Sequence, residues 1–262
     1  MSGFSKTGSL AEIAGRPFWF NAENFVAGLR RVSIFAGGYG SGKSEIAVNF
    51  ALSLTELGTP VTIADLDIVN PYFRSREARQ VLEQWGVRVL MPPVTVMETD
   101  LPMIGAEIRG AMVSGAGFLI LDLGGDPVGA RVMASLSHGI NRDEYNSFFV
   151  LNSRRPFTRT VSQIQSLLGD IESTSGLTIT HLVVNSHLIE ETTAAIVQEG
   201  IKLAEAVSAV TAKPIAFIAI ERRVLEDFDP KSTDYPVLVL ERQLLKPWEQ
   251  RNDRLGPRRF KI

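Results

Sequence analysis

Val32-Ser33-Ile34-Phe35-Ala36 runs directly into Gly37-Gly38-Tyr39-Gly40-Ser41-Gly42-Lys43-Ser44. The first five residues read as a short buried strand. Residues 43–57 read as a helix, because Ile46, Phe50, Leu54 and Leu57 recur at helical spacing and Gly58 stops them. Between the two lies the pattern G-x-x-x-x-G-K-[ST]. Its glycines let the backbone curl so that successive N–H groups point inward, and the helix adds the positive end of its dipole. Such a loop cradles phosphates: Gly38, Tyr39, Gly40, Ser41, Gly42, Lys43 and Ser44 form the candidate phosphate site. Lys43 would reach the β- and γ-phosphates, and the Ser44 hydroxyl would ligate magnesium. The ordinary alternative is a glycine-rich turn with no ligand.

Outward from this stretch the alternation repeats. Apolar runs at 61–64, 87–90, 118–121, 148–151, 182–184, 215–220 and 237–240 read as strands. Helical periodicity falls at 74–85, 103–113, 128–137, 161–171 and 192–210. The strands are continuously apolar, which a parallel sheet covered on both sides requires. The sequence therefore predicts an α/β fold, a mostly parallel sheet flanked by helices on both faces. The expected organisation is an irregular lead-in over 1–31, a nucleotide-binding domain over 32–245 and a basic tail over 246–262. The tail holds Lys246, Arg251, Arg254, Arg258, Arg259 and Lys261 against Glu249 and Asp253.

Composition narrows the chemistry. The 262 residues carry a net charge of −2, with 45% hydrophobic and 21% charged residues, an ordinary globular balance. It gives no general pull toward nucleic acid or acidic membranes. The absence of cysteine excludes disulfides, thiolate zinc sites and cysteine-ligated iron–sulfur clusters on this chain. His138, His181 and His187 are scattered and read as surface or core histidines rather than ligands. No apolar stretch is long enough for a membrane span, and the N-terminus lacks a signal-peptide pattern, so a cytoplasmic location is expected.

Two acidic sites fall at the carboxyl ends of strands, where open α/β sheets bind ligands. Asp65 and Asp67 follow the strand at 61–64. Asp122 ends the strand at 118–121 and leads into Leu123-Gly124-Gly125. Magnesium takes oxygen ligands, so Ser44, Asp65 and Asp122 are the candidate metal residues, with Asp122 beside Ser44. Gly124 and Gly125 allow the backbone to approach a γ-phosphate. Asp126, before Pro127, fits a helix cap as readily as a ligand.

The loop GGYGSGKS, the D-x-D of Asp65 and Asp67, and the strand-end Asp122-Leu123-Gly124-Gly125 together resemble a MinD/ParA/Mrp-like P-loop ATPase, a SIMIBI-class NTPase. The resemblance spans about 32–240, though only the three motifs are specific. It implies a P-loop NTPase fold, ATP and Mg2+ as cofactors, and a nucleotide-dependent protein partner. It assigns Asp67 to orienting water, Asp65 to the magnesium shell and Asn185 to the base, with an ordinary turn asparagine as the alternative for the last. The family also dimerises, using an extra lysine where this chain has Gly38. Arg74 or Arg76 are candidates to replace that charge; otherwise they are helix-surface arginines.

Four activities remain open on these residues. The first is a slow ATPase acting as a switch, with Lys43 and Asp67 as its catalytic pair. The second is a kinase moving the γ-phosphate to a small molecule or a nucleic-acid 5′-hydroxyl, with Arg154 and Arg155 lining a second site. The third is a GTPase: Asp122–Gly125 satisfies D-x-x-G, but Asn185-Ser186-His187-Leu188 lacks the lysine and aspartate of N-K-x-D. The fourth is a binding module without turnover.

Overall fold

The computed structural model describes residues 17–67, 78–91, 101–113, 116–125, 133–134 and 142–244. The strands are β1 (Phe18–Phe20), β2 (Val32–Ala36), β3 (Val61–Leu66), β4 (Arg88–Leu90), β5 (Phe118–Leu123), β6 (Tyr145–Leu151), β7 (His181–Val184), β8 (Ile215–Glu221) and β9 (Val237–Leu240). The helices are α1 (Glu23–Ala27), α2 (Lys43–Thr55), α3 (Arg79–Gln84), α4 (Leu101–Val113), α5 (Val161–Ser175) and α6 (Ala194–Thr211). The strands form one sheet in the order β1-β9-β8-β7-β6-β2-β5-β3-β4. Every pairing is parallel except β1 on β9.

Alternate strand residues feed two cores, one on each face. Ile34, Leu119, Leu121, Phe149 and Leu151 point to the side covered by Ile108 of α4, Ile164 and Leu168 of α5, and Val197 and Ala204 of α6. Phe35, Ile120, Phe148 and Val150 point to the side covered by Ile46, Phe50 and Leu54 of α2 and Leu82 of α3. The second core is aromatic: Phe35 and Phe148 stack at 5.2 Å between ring centroids, and Phe50 and Phe217 at 5.9 Å. Both faces are dry, which is why the strands read as unbroken apolar runs rather than alternating ones.

The structure differs from the sequence reading at several points. Residues 18–20, placed in an irregular lead-in, form an antiparallel edge strand on β9. Trp19 packs on the aromatic core and donates Nε1–H to Ser53 Oγ at 3.0 Å, while Phe18 and Phe20 pack on the other face. A three-residue strand is too short to show its alternation in sequence. The strands expected over 61–64 and 118–121 run on to Leu66 and Leu123, so Asp65 and Asp122 lie inside the ladder. Of the helix expected over 128–137 only 133–134 are described, and they are helical; Arg74, Arg76, Asp126, His138 and the tail from 246 onward lie outside the described residues.

The chain leaves β2 toward β3, β4 and β5 on one side and toward β6 to β9 on the other. The glycine loop thus sits at the carboxyl end of the strand where the order reverses, the usual crevice of a doubly wound sheet.

Candidate nucleotide site

The loop is shaped by backbone geometry before any ligand is considered. Gly42 has φ 90° and caps α2, and a Cβ placed there would lie 2.2 Å from Asn185 Nδ2. Only glycine fits. The other long helices whose caps are described, α5 and α6, begin with Thr160 and Thr193, whose hydroxyls accept first-turn N–H groups. No side chain caps α2. Its first-turn donors therefore remain available to an anion. Lys43 is buried, and its Nζ donates to Gly38 O at 3.0 Å, across the loop it would serve. Tyr39 stands at the loop tip, 74% exposed.

Beside the loop lies a carboxylate cluster. Asp65 on β3 and Asp122 on β5 are register partners on adjacent strands. Both are fully buried. Asp65 Oδ1 accepts the backbone N–H of Asp67 at 3.0 Å, which fixes Asp67 at the rim. Neither carboxylate oxygen of Asp122 has a hydrogen-bond partner among the described residues. Burial pushes the Asp122 carboxyl up, and the charge of Asp65 pushes it further. The nearby Ser44 hydroxyl and Lys43 ammonium offset only part of this. An orphaned buried carboxylate beside a serine hydroxyl is a donor set suited to a hard cation. Among the described residues no three acidic or histidine side chains form an all-protein metal cage. This suits magnesium, which keeps waters and phosphate oxygens and takes one or two protein ligands. Gly125 closes the other side: a Cβ there would stand 2.9 Å from Lys43 Nζ and 3.0 Å from Tyr39 N.

The remaining wall comes from β6, β7, β8 and β9. A cavity of about 530 Å³ extends from the loop, Lys43, Asp67 and Gly125 to Glu221, Leu240, Arg242 and Leu244. Asn185 lines it, but its Nδ2 donates to Ser41 O at 2.8 Å, so this side chain clamps the loop. The resemblance implies a base contact for this same side chain. His187 packs beside it: its Nδ1 accepts from Ile189 N at 3.3 Å, and its Nε2 faces Gly42. Burial lowers the His187 pKa to about 4, helped by the charges of Arg155 and Arg242. The imidazole is neutral.

Sequence reasoning missed the pocket roles of His187, Glu45, Glu221 and Arg242, and the placement of Arg155 on the loop. Glu45, next to Ser44, has a half-buried carboxylate that accepts Gln243 N at 2.7 Å and Leu244 N at 3.0 Å. An acid in the first turn of a core-facing helix was its only signal. For Glu221 the signal was its position at the end of a strand.

No protein-family model matches the chain, and no curated protein matches its sequence. Solved structures do. FtsY from Mycoplasma mycoides is 16% identical over 86% of this chain and 68% of that one, with a TM-score of 0.50. The cell division protein FtsY from Thermotoga maritima is 19% identical, covering 78% of this chain and 66% of that one, at 0.50. The 54 kDa signal recognition particle protein from Aeropyrum pernix, in complex with GDP, is 17% identical, covering 72% of this chain and 41% of that one, at 0.52. The chain thus spans about two thirds of either FtsY and less than half of the 54 kDa protein. At these identities the likeness is one of architecture, and the mostly parallel sheet with its glycine loop at the reversal point is the P-loop NTPase fold.

Proposed function

We propose that the protein is a magnesium-dependent nucleoside-triphosphate switch of the SIMIBI class, which hydrolyses its nucleotide slowly and engages a protein partner according to nucleotide state. One observation carries this reading: the orphaned, buried carboxylate of Asp122 stands beside Ser44, at the head of a helix no side chain caps.

The loop N–H groups and the first turn of α2 bind the β-phosphate. Lys43 exchanges the Gly38 carbonyl for β- and γ-phosphate oxygens, a trade of a neutral acceptor for an anionic one. Ser44 and Asp122, with Asp65 behind, would hold magnesium, which would supply positive charge to the phosphate oxygens. Asp67, pinned through its own N–H, orients the attacking water. Little covalent chemistry is asked of the protein; positioning and charge do the work. The Gly125 backbone lies against Lys43 and Tyr39, where presence or loss of the γ-phosphate would be felt.

ATP is our first reading for the base, because N-K-x-D is absent. GTP is the second. Glu221 lines the far end of the cavity, and a carboxylate accepts both N1–H and N2–H of guanine. The 54 kDa structure similar in fold also carries GDP. The exposed rings of Tyr39 and Phe157, each 74% exposed, are our candidate surface for a protein partner or a second copy.

The test is phosphate release from ATP and from GTP with magnesium, alongside oligomeric state, with Lys43→Ala as control. Slow, Lys43-dependent release without an added acceptor supports the switch. Binding without release, followed by transfer to an added hydroxyl compound, would replace it with a kinase.

A further inference from the structure

We infer that Arg155 is a phosphate-binding arginine supplied in cis, a residue that the loop motif does not assign. The inference rests on the nucleotide reading above and adds a ligand contact to it.

Arg155 follows β6, which pairs with β2 as far as Ala36 and Phe149, so the loop after β6 emerges beside the glycine loop. Its Nε donates to Gly40 O at 2.9 Å. A Cβ at Gly40 would stand 3.4 Å from that Nε and 3.6 Å from Cδ and Cζ, so the guanidinium lies against the bare glycine backbone. Nε is thereby spent. The terminal Nη groups have no partner among the described residues, and the side chain lines the same cavity as Lys43 and Asp67. The preceding residue makes the contrast: Arg154 is paired with Glu199 on α6.

The segment carrying Arg155 is held tightly. Arg155 N donates to Asn152 O at 3.1 Å, and Arg154 N to Asn152 Oδ1 at 3.0 Å. Thr158 Oγ1 donates to Asn152 O at 2.7 Å, and Asn152 Nδ2 donates to His187 O at 3.1 Å. Phe157 sits at φ 66°, a left-handed conformation unfavourable for an aromatic residue, which persists only where the surroundings impose it. The cation is therefore presented from a fixed platform rather than a free loop.

Charge balance supplies the need. The cavity wall carries Glu45, Asp67 and Glu221, with Asp65 and Asp122 buried close by. A triphosphate adds several negative charges, and His187 is neutral. Lys43 is the cation of the loop itself, and Arg242 lies at the far end of the cavity, beside Leu240 and Leu244. A guanidinium with its terminal N–H groups open, fixed on the loop, offers the planar donors that phosphate oxygens accept.

The test measures affinity for ADP and ATP in the full chain carrying Arg155→Gln, Arg155→Lys or Arg154→Ala, with apo thermal midpoints and salt dependence. Arg155→Gln is expected to weaken both nucleotides about 10- to 100-fold. It should also flatten the fall of affinity with salt, leaving the apo midpoint nearly unchanged. Arg155→Lys keeps the salt slope and recovers part of the affinity, and Arg154→Ala binds as the parent does. An Arg155→Gln protein with parental affinity, while Lys43→Ala has lost it, overturns the inference and leaves the nucleotide reading standing. Lost affinity with an unchanged salt slope also overturns it, since Arg155 would then act only by shaping the loop. A parent chain that binds neither nucleotide overturns both.

Discussion

Asp65 and Asp122 face each other in register across two neighbouring parallel strands, and both are shut away from solvent. Two carboxylates so placed repel each other and lack their water, a cost a folded protein keeps only where something positive is to be received. Asp122→Asn should therefore stabilise the ligand-free protein by about 1–2 kcal/mol, because its amide can donate toward Asp65. The same change should cut magnesium-dependent nucleotide stabilisation at least tenfold. Thermal scans with and without magnesium and nucleotide check both halves; a destabilised variant with intact magnesium linkage would contradict the assignment.

Asn185 tests whether the loop clamp or the base is its business. Its Nδ2 bond to Ser41 O predicts that Asn185→Ala weakens ATP and GTP by the same factor, about 5- to 30-fold. A change in the ATP-to-GTP preference would instead make it a base-reading residue. Gly42→Ala should be worse, since its Cβ would meet that same amide at a φ of 90°.

His187 gives a pH dependence with a definite sign. Its ordinary pKa of 6.5 falls to about 4 in the fold, where Arg155 and Arg242 face it. Below pH 6.5 the unfolded chain takes up a proton that the folded chain refuses. Stability is lost as pH drops from 6.5 toward 4, and nothing changes above 6.5. The full loss is about 3 kcal/mol, from 1.4 kcal/mol per pH unit. Urea unfolding at pH 7 and pH 4.5 should show a steeper decline for the parent than for His187→Gln. Equal declines would mean that the imidazole charges freely in the fold.

Glu45 ties the helix of the phosphate loop to the segment after β9. Besides holding Gln243 and Leu244, it is braced by Asn49, whose Nδ2 donates to Glu45 Oε1 at 2.9 Å and whose Oδ1 accepts Glu241 N at 2.8 Å. Glu45→Ala leaves two backbone donors without acceptors and should cost about 2–5 kcal/mol. Glu45→Gln, which keeps a carbonyl acceptor, should cost less. Hydrogen exchange at the amides of 243 and 244 should accelerate in the alanine variant first; unchanged protection there would place the tie elsewhere.

These contacts mark the boundary of what the sequence could say. The loop, its strand and its helix are contiguous, so their chemistry is written in thirteen successive letters from Val32 to Ser44. Asp65 and Asp122 were legible because each ends an apolar run. Arg155 on Gly40 spans 115 positions and Asn185 on Ser41 spans 144. Both depend on β6 lying beside β2 and β7 beside β6, an order that no local pattern encodes. The same holds for β1, whose pairing with β9 joins the two ends of the described chain. The three motifs resemble those of MinD/ParA/Mrp-like ATPases by residue type, whereas the solved structures similar in overall architecture are FtsY and the 54 kDa particle protein.

The most direct measurement is equilibrium binding of ATP and GTP, with and without magnesium, to the parent chain and to Lys43→Ala. The account predicts that one of the two nucleotides binds, more tightly with magnesium, and that the Lys43 variant loses that binding by at least an order of magnitude. A parent chain indifferent to both nucleotides, or a Lys43→Ala chain that binds as well as the parent, would contradict it.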